Sequence, residues 1–184
     1  MDFLPISLKL QHQPCLIVGG GAIAYRKAQL LVKAGAIITV IAPTIHDDLL
    51  ALVVASKGQY IAREFQADIA LTEYRLVIAA TNLHALNAEI YALSECQNVL
   101  VNSVDDVPHC RFMLPAIIDR SPLMIAVASN GTSPVLTRQI RTQLESTIPH
   151  ELGRLAEFSG KWRSAVKDKI NTADERRIFW ENLY

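Results

Sequence analysis

Short apolar runs recur along the first hundred residues, and stretches with apolar residues at every third or fourth position separate them. Runs without alternation are typical of strands that are buried on both faces. We predict strands at Cys15–Val18, Ile37–Ile41, Tyr60–Arg63, Leu76–Ala80 and Val99–Val101. Because strands and helices alternate, the pattern indicates an α/β fold with a parallel, right-handed doubly wound sheet.

The intervening stretches carry the start and stop signals of helices. The first predicted helix has Ala24, Ala28 and Leu31 on one face and ends at Gly35. Two further helices are predicted at residues 47–56 and 83–96. Residues 1–13 contain only short apolar pieces and are predicted to form an edge segment.

After about residue 112 the rhythm changes, which places the end of the first domain there. A meander of short strands is predicted at Phe112–Leu114, Ala116–Ile118 and Leu123–Ala128. Ser133-Pro134 is typical of an N-cap followed by the first helical residue, and Thr172-x-x-Glu175 is a capping box. Helices are therefore predicted over about residues 134–147, 151–169 and 173–184.

A glycine-rich turn separates the first strand from the first helix. Gly19, Gly21 and Ala24 match the G-x-G-x-x-G/A spacing of a dinucleotide-binding βαβ unit. Glycine lets the backbone approach a ligand closely, and the free N–H groups at a helix N-terminus attract phosphate. The pattern predicts a Rossmann-like domain, and the alternative is a tight strand-to-helix turn that binds nothing.

Polar segments also follow the other predicted strands, namely Pro43-Thr44, Thr81-Asn82 and Asn102–Asp106. Ligands of doubly wound sheets bind beyond the carboxyl ends of the strands. We therefore predict that these segments and the glycines share one site, where Thr81 and Asn102 are candidate cofactor contacts. An ordinary turn asparagine is the alternative for Asn102.

The residues at the end of the second strand help to distinguish NAD from NADP, because they contact the ribose that carries the 2′-phosphate of NADP. Such sites commonly place Asp or Glu there to bind the ribose, but residues 41–44 read Ile-Ala-Pro-Thr. Thr44 and the backbone of Pro43 can bind the ribose instead. NAD is favoured over NADP because no arginine is present there for a 2′-phosphate.

Asp105 and Asp106 are the candidate acid–base residues. A carboxylate at the ligand end of a sheet can act as a general base when burial tunes its pKa, and a solvated turn is the alternative. His109 and Cys110 follow closely, but their spacing matches no standard metal-ligand pattern, so no resident metal site is predicted.

Two other catalytic schemes find no match in the sequence. No tyrosine is followed by lysine four residues later, and no G-x-S-x-G elbow is present. The polar loop Ser129–Ser133 precedes a predicted helix, where it can bind an anion or simply cap the helix.

Composition and charge bear on the binding partners and the cell compartment of the protein. The 184 residues are 51% hydrophobic and 20% charged with a net charge of zero, which gives no indication of nucleic-acid binding. Residues 111–184 carry 11 basic and 8 acidic side chains, which suits an acidic partner or a solvated helical surface. Three widely spaced cysteines and no leader or membrane-length apolar run predict a reduced, cytoplasmic protein.

Several motifs occur in the order of one known family. They are Val18–Gly21, Ala24-x-Arg26-Lys27-Ala28, Val40–Pro43, Ala79–Asn82, Asn102–Asp106, Phe112–Ala116, Gly131–Leu136 and Glu175–Glu181. Together they resemble the precorrin-2 dehydrogenase and sirohydrochlorin ferrochelatase family of sirohaem biosynthesis. The match is to the N-terminal module of bifunctional sirohaem synthases, which continue into a methyltransferase domain.

This resemblance implies an NAD-binding Rossmann-like domain at residues 1–112, a small α+β dimerisation segment at 113–148 and a C-terminal helical domain at 149–184. It implies a homodimer that oxidises precorrin-2 to sirohydrochlorin with NAD⁺. Many members also insert Fe²⁺, as a substrate, to give sirohaem.

The resemblance also implies roles for individual residues. The family's proton-handling aspartate falls on Asp105, and cofactor contacts fall on Ala22, Ile23, Pro43 and Thr44. A serine that is phosphorylated in some members falls on Ser129, which we include among candidate substrate contacts.

The substrate of this family is a tetrapyrrole with many carboxylates, and arginine forks suit carboxylates. The basic second part of the chain offers candidates at Arg111, Arg120, Arg138 and Arg141, each with a structural role as the alternative. Two other functions stay open: an NAD(H)-binding sensor module without turnover, and a chelatase that has lost the redox reaction. An assay for precorrin-2 turnover with NAD⁺ distinguishes among the three.

Overall fold

The computed structural model describes residues 2–184 and divides into two compact units. The first, Met1–Met113, is called the sheet unit here, and the second, Leu114–Tyr184, is called the helical unit. Within residues 2–184 no helix is both long and apolar enough to cross a membrane.

The sheet unit alternates strands and helices. Its elements are β1 (Pro14–Val18), α1 (Ala22–Lys33), β2 (Ile37–Ile41), α2 (Asp47–Ala55), β3 (Gln59–Ile61), β4 (Leu76–Ala79), α3 (His84–Cys96) and β5 (Leu100–Ser103). Short 3₁₀ turns lie at Leu71–Glu73 and Val107–His109. The predicted βα alternation is confirmed, and most predicted boundaries lie within two residues of the observed ones.

All five strands are parallel, in the order β3-β2-β1-β4-β5. The order reverses beside β1, because the chain runs outward to β2 and β3 and then returns to place β4 on the other side. Such a switch point opens a crevice at the carboxyl ends of the strands. The Rossmann-like prediction is therefore confirmed.

Burial explains why the apolar runs form the central strands. Cys15, Leu16 and Ile17 in β1 are completely buried, and Val77 and Ile78 in β4 are buried with them. Strands covered by helices on both faces need apolar side chains at successive positions. On α1 the buried residues are Ala24, Ala28 and Leu31, the face that the sequence pattern predicts.

The helical unit starts with an antiparallel hairpin. Its elements are β6 (Ala116–Arg120), β7 (Leu123–Val127), α4 (Pro134–Thr147), α5 (Glu151–Lys169) and α6 (Ala173–Leu183). Helix α5 packs closely on β6, because a Cβ at Gly153 would overlap the carbonyl oxygen of Arg120. The capping box on α6 forms, with the Glu175 N–H donating to Thr172 Oγ1 at 3.3 Å.

One local prediction is wrong. Phe112–Leu114 forms no strand, because Arg111 N–H and the Phe112 carbonyl bond back to the end of the sheet instead. The predicted edge segment, described over residues 2–13, contains no strand, and Met1 lies outside the described residues. The predicted N-cap at Ser133 and first helical residue at Pro134 are confirmed, and the Ser133 side chain makes no capping hydrogen bond.

Strand β5 also extends further than predicted. It includes Asn102 and Ser103, which pair with Ile78 and Ala79 of β4. These polar residues are buried because the returning chain covers β5, with Cys110 bridging to Asn102.

Candidate functional site

The glycine turn after β1 is shaped by close packing on one side and open space on the other. Gly19 has φ +121°, and a Cβ there would overlap the Ala80 carbonyl, while a Cβ at Gly20 would overlap the Thr44 carbonyl. Gly21 is different, since a Cβ would meet nothing within 4 Å. The turn therefore packs against the ends of β2 and β4 and leaves room for a ligand at Gly21.

Helix α1 presents its N-terminus to that space. Gly21 is the N-cap and supplies no side chain to it. In the part of the chain described, the N–H groups of Ala22, Ile23 and Ala24 have no hydrogen-bond acceptor. Free N–H groups and the positive end of the helix dipole fit a pyrophosphate, so the residues present suit a dinucleotide.

The end of β2 contributes Pro43 and Thr44, which are both exposed. The Tyr60 hydroxyl lies 3.1 Å from the carbonyl of Ala42 and 3.3 Å from that of Pro43, to which it can donate. This bond from β3 fixes the backbone of the segment. The hydroxyl of Thr44 is left available to a ribose.

Thr81, which follows β4, is hydrogen-bonded to helix α3. Its hydroxyl donates to Asn87 Oδ1 at 2.7 Å, and Asn87 Nδ2 donates to the Thr81 carbonyl at 3.1 Å. Asn87 is buried, so this pair anchors the turn between β4 and α3. A direct cofactor contact by the Thr81 side chain requires exchange of that hydrogen bond.

Asn102 lies inside β5 and is only 4% exposed. Its Nδ2 donates to the Phe112 carbonyl at 3.0 Å, which orients the amide because a carbonyl can only accept. Oδ1 is therefore directed elsewhere, and this buried atom has no partner among the described residues. An unpaired buried acceptor needs a donor, and an amide N–H of a bound ligand is one such group.

The two neighbouring aspartates have different environments. Asp106 Oδ2 lies 2.6 Å from His109 Nδ1, and the His109 ring packs edge-on against Tyr91 at 4.8 Å. Asp105 is exposed, and its carboxylate makes no hydrogen bond or ion pair within residues 2–184. Of the two, Asp105 is the carboxylate that is free to exchange a proton with a substrate.

Lys27 is a candidate that the sequence analysis did not single out. Burial lowers the pKa of this lysine, and electrostatic attraction to Cys110 and Asp105 acts in the opposite direction. Its ammonium group is thus within electrostatic reach of Asp105. The available signal was a basic residue directly beside Ala28 on the buried face of α1.

The candidate arginines divide between the two units. In the sheet unit Arg111 is exposed, pairs with Glu95 at 3.1 Å and donates to Asn98 Oδ1 at 3.2 Å. In the helical unit Arg138 is exposed on α4 beside a shallow groove lined by Gln139, Thr142 and Gln143. Among the described residues the Arg138 guanidinium has no ion-pair partner.

Arg120 and Arg141 serve the packing of the helical unit. Arg120 is buried, and its guanidinium donates to the carbonyls of Ile148 at 3.0 Å and Glu145 at 3.2 Å. It thereby satisfies carbonyls at the C-terminal end of α4. Arg141 donates to the Ile117 carbonyl at 3.1 Å and pairs with Glu145 at 2.9 Å.

Ser129 lies in the loop before α4 and is half-buried. Its Oγ accepts from the Ser133 N–H at 3.1 Å and lies 3.0 Å from Thr137 Oγ1. Ser129 thus ties the loop to the first turn of α4, beside the predicted N-cap residue Ser133. Across residues 2–184 no three histidine, cysteine or acidic side chains converge in a way that could hold a metal ion.

Residues 6–116 match a family model described as putative NAD(P)-binding. The chain belongs to this family. Residues 120–147 match a model for the central part of a sirohaem biosynthesis protein, and residues 151–184 match one for the sirohaem synthase dimerisation region. The resemblance that the ordered motifs indicated is thereby confirmed.

Curated relatives extend the likeness to the whole chain. It is 60% identical over 184 residues to a siroheme synthase of Acinetobacter baylyi and 46% identical to one of Actinobacillus pleuropneumoniae. The match covers all of this chain but only 40% and 38% of those proteins. The chain thus spans about two-fifths of the length of the relatives it matches.

Among solved structures, "SirC, precorrin-2 dehydrogenase" matches with a TM-score of 0.75 and 22% sequence identity. The match covers 98% of this chain and 89% of that one. At this identity the likeness shows the fold, and it includes both the sheet unit and the helical unit.

Proposed function

We propose that this chain oxidises precorrin-2 to sirohydrochlorin with NAD⁺. The observation that carries the proposal is the unpaired Asp105 carboxylate at the same edge of the sheet as the open glycine turn. A dinucleotide cradle and a free acid–base group at one edge are the parts that a dehydrogenase needs. The relatives named siroheme synthases support this choice of reaction.

The first step is cofactor binding by the turn and by α1. The N–H groups of Ala22, Ile23 and Ala24 bind the pyrophosphate, and the open space at Gly21 admits it. Thr44 binds a ribose hydroxyl, and Asn102 Oδ1 accepts from an amide N–H. Residues 42–44 carry neither an acid nor an arginine, and the missing arginine favours NAD over NADP.

The second step is loss of a hydride and a proton by the macrocycle, which together amount to two electrons and two protons. When bound, NAD⁺ supplies the hydride acceptor. Asp105 accepts the proton released as the double bond forms, and then passes it to water because its carboxylate is exposed.

The substrate carboxylates need cations. Arg138 fits this role best because its guanidinium is exposed and makes no ion pair with the rest of residues 2–184. Arg111 can exchange its exposed partner Glu95 for a substrate carboxylate. Arg120 does not bind substrate in this proposal, because its guanidinium already donates to two carbonyls of the helical unit. Ser129 contacts only its own loop and the start of α4.

The matched dimerisation model and the names of the relatives support two further proposals. We propose a homodimer formed through residues 151–184, which match the dimerisation model and expose Phe158, Trp162, Ile178 and Phe179. We also propose Fe²⁺ insertion into sirohydrochlorin, with Fe²⁺ as a substrate and Asp105 collecting the displaced pyrrole protons. The three free thiols suit a reducing, cytoplasmic setting.

An anaerobic assay with precorrin-2, with and without NAD⁺, tests the proposal through the absorbance of the chromophore. We expect sirohydrochlorin to form only with NAD⁺, and Asp105→Asn to lower kcat by roughly a hundredfold or more. Asp106→Asn is the matched control and should cost at most about threefold, because that side chain is paired with His109.

Other outcomes identify the alternatives. Cofactor binding without turnover would indicate the sensor module, and Fe²⁺ insertion without oxidation would indicate the chelatase alone. Full activity of Asp105→Asn would reject the role of this aspartate.

A further inference from the structure

The loop between β5 and Phe112 carries Asp105 in a backbone conformation that needs support. Asp105 has φ +58°, in the left-handed region that non-glycine residues seldom adopt. Its own side chain makes no hydrogen bond within residues 2–184 that would hold it. The position of the carboxylate is therefore set by the rest of the loop.

Cys110 spans the turn that holds Asp105. Its Sγ lies 3.1 Å from the Ser103 carbonyl and 3.2 Å from the Asp106 carbonyl, and the thiol can donate to either. These two carbonyls flank Val104 and Asp105 on both sides. The thiol thus joins the two ends of the turn.

Asn102 holds the thiol in turn. Its Nδ2 donates to Cys110 Sγ at 3.4 Å and to the Phe112 carbonyl at 3.0 Å. Because Asn102 lies within a buried strand, it ties the returning chain to the sheet. The two side chains, Asn102 and Cys110, are called the loop clamp below.

Backbone hydrogen bonds close the same loop at its base. Arg111 N–H donates to the Val101 carbonyl at 2.8 Å, and Val104 N–H donates to the Ala79 carbonyl at 2.9 Å. These bonds fix both ends of the loop on β4 and β5. Side chains support the turn at residues 103–106 in two ways, through the Cys110 thiol and through the pair of Asp106 with His109.

The thiol stays protonated in this environment. Burial raises the pKa of Cys110, and the nearby Asp106 carboxylate acts in the same direction, while the Ser103 bond and Lys27 oppose it. A neutral S–H can donate a hydrogen bond, whereas a thiolate could only accept. The loop clamp therefore keeps its donor at neutral pH.

We propose that Cys110 and Asn102 are positioning residues that hold the Asp105 carboxylate in place for proton transfer. The catalytic half of this inference rests on the proposed function, while the structural half does not. In this role, Asn102 Nδ2 and Cys110 Sγ act through the backbone of the loop and do not contact the reacting atoms.

Hydrogen exchange and steady-state kinetics on the full chain test the proposal together. For Cys110→Ala we expect amide exchange at residues 104–109 to accelerate roughly tenfold or more, while exchange in β1 and α1 stays unchanged. We expect kcat for precorrin-2 oxidation to fall roughly tenfold, because a carboxylate displaced by about 1 Å loses its alignment. The Kd for NAD⁺ should stay within about twofold, because the glycine turn is untouched.

Two variants serve as controls. Cys110→Ser keeps a donor at the same place and should restore kcat to within about threefold of the parent. Cys96→Ala removes an exposed thiol at the end of α3 and should change neither exchange nor kcat.

Each result separates the clamp from the proposed function. Unchanged exchange at residues 104–109 in Cys110→Ala would overturn the clamp. Faster exchange with unchanged kcat would overturn the positioning role, and faster exchange throughout the sheet unit would show a merely structural residue. If the parent chain shows no turnover, the proposed function fails, while the exchange data still decide whether the clamp exists.

Discussion

The two units of the chain bury their apolar side chains in opposite ways. In the sheet unit the central strands are sealed, and Leu16, Ile17 and Ile78 are completely buried. Within residues 114–184 the buried hydrophobic side chains are only Ile118 and Val166. The frame of the candidate site is therefore supported by its own core.

The helical unit instead exposes large apolar side chains along α5 and α6. Phe158, Trp162, Ile178 and Phe179 are between 42% and 53% exposed. Exposed apolar surface of this kind marks a place where another body binds. The difference supports the proposal that the helical unit forms the interface between two copies of the chain, whereas the sheet unit carries the glycine turn on a core of its own.

A leucine-to-alanine substitution in each unit tests this contrast in burial and should give the largest difference in stability. Leu16→Ala removes a completely buried side chain and should lower the free energy of unfolding of the sheet unit by about 3 kcal/mol. Leu136→Ala on α4, where the side chain is 51% exposed, should cost less than about 0.5 kcal/mol. Amide exchange in β1 and α4 reports the two values, and equal losses would refute the contrast.

A second substitution tests whether the exposed face of α5 binds a second copy. Trp162→Ala should weaken self-association by about 2 kcal/mol, roughly thirtyfold, since buried tryptophans dominate protein interfaces. Sedimentation over a range of protein concentrations measures it. The neighbouring Lys161→Ala, which breaks only an exposed pair with Glu157, is the control. A parent chain that is monomeric at every concentration would contradict the dimer.

A third effect, similar in size, is a pH dependence of the sheet unit, which contains all three cysteines of the chain. Burial raises the pKa of Cys15 from 9.0 to about 11. A thiol whose folded pKa is raised stabilises the fold below its unfolded pKa, and this contribution is lost as the pH rises through the folded value.

We expect unfolding of the sheet unit to lose about 2 kcal/mol from this thiol as the pH rises from 9.0 to about 11. Cys15→Ala should be less stable at neutral pH but show a flatter pH profile. Denaturant unfolding at several pH values compares the slopes, and parallel profiles for the two proteins would disprove the assignment.

Much of the sheet unit could be predicted because its signals are local. The apolar runs at β1 and β2 contain a single polar residue, the β-branched Thr39, and Gly35 adopts the left-handed φ of +81° that ends a helix. The glycine turn and Asp105 were placed at the carboxyl edge by the same alternation of strands and helices.

The rest depends on partners far apart in sequence. The sequence around Arg120 does not indicate that its guanidinium donates to the carbonyls of Glu145 and Ile148. Its place in a basic region therefore predicted an arginine available to substrate. Equally, the pairing of Asp106 with His109, which leaves Asp105 free, is set by the fold of the loop and not by composition. The strand predicted at Phe112–Leu114 does not form, because the side chain of Asn102 donates a hydrogen bond to the Phe112 carbonyl.

The left-handed backbone of Asp105 also limits which mutations this position can accept. Asparagine, aspartate and glycine adopt such a conformation at little cost, whereas glutamate and other longer side chains do so less readily. Of these three residues only aspartate carries a charge. A saturation library at residue 105 should therefore yield folded but inactive asparagine and glycine variants, and few routes by which a different acid replaces the native one.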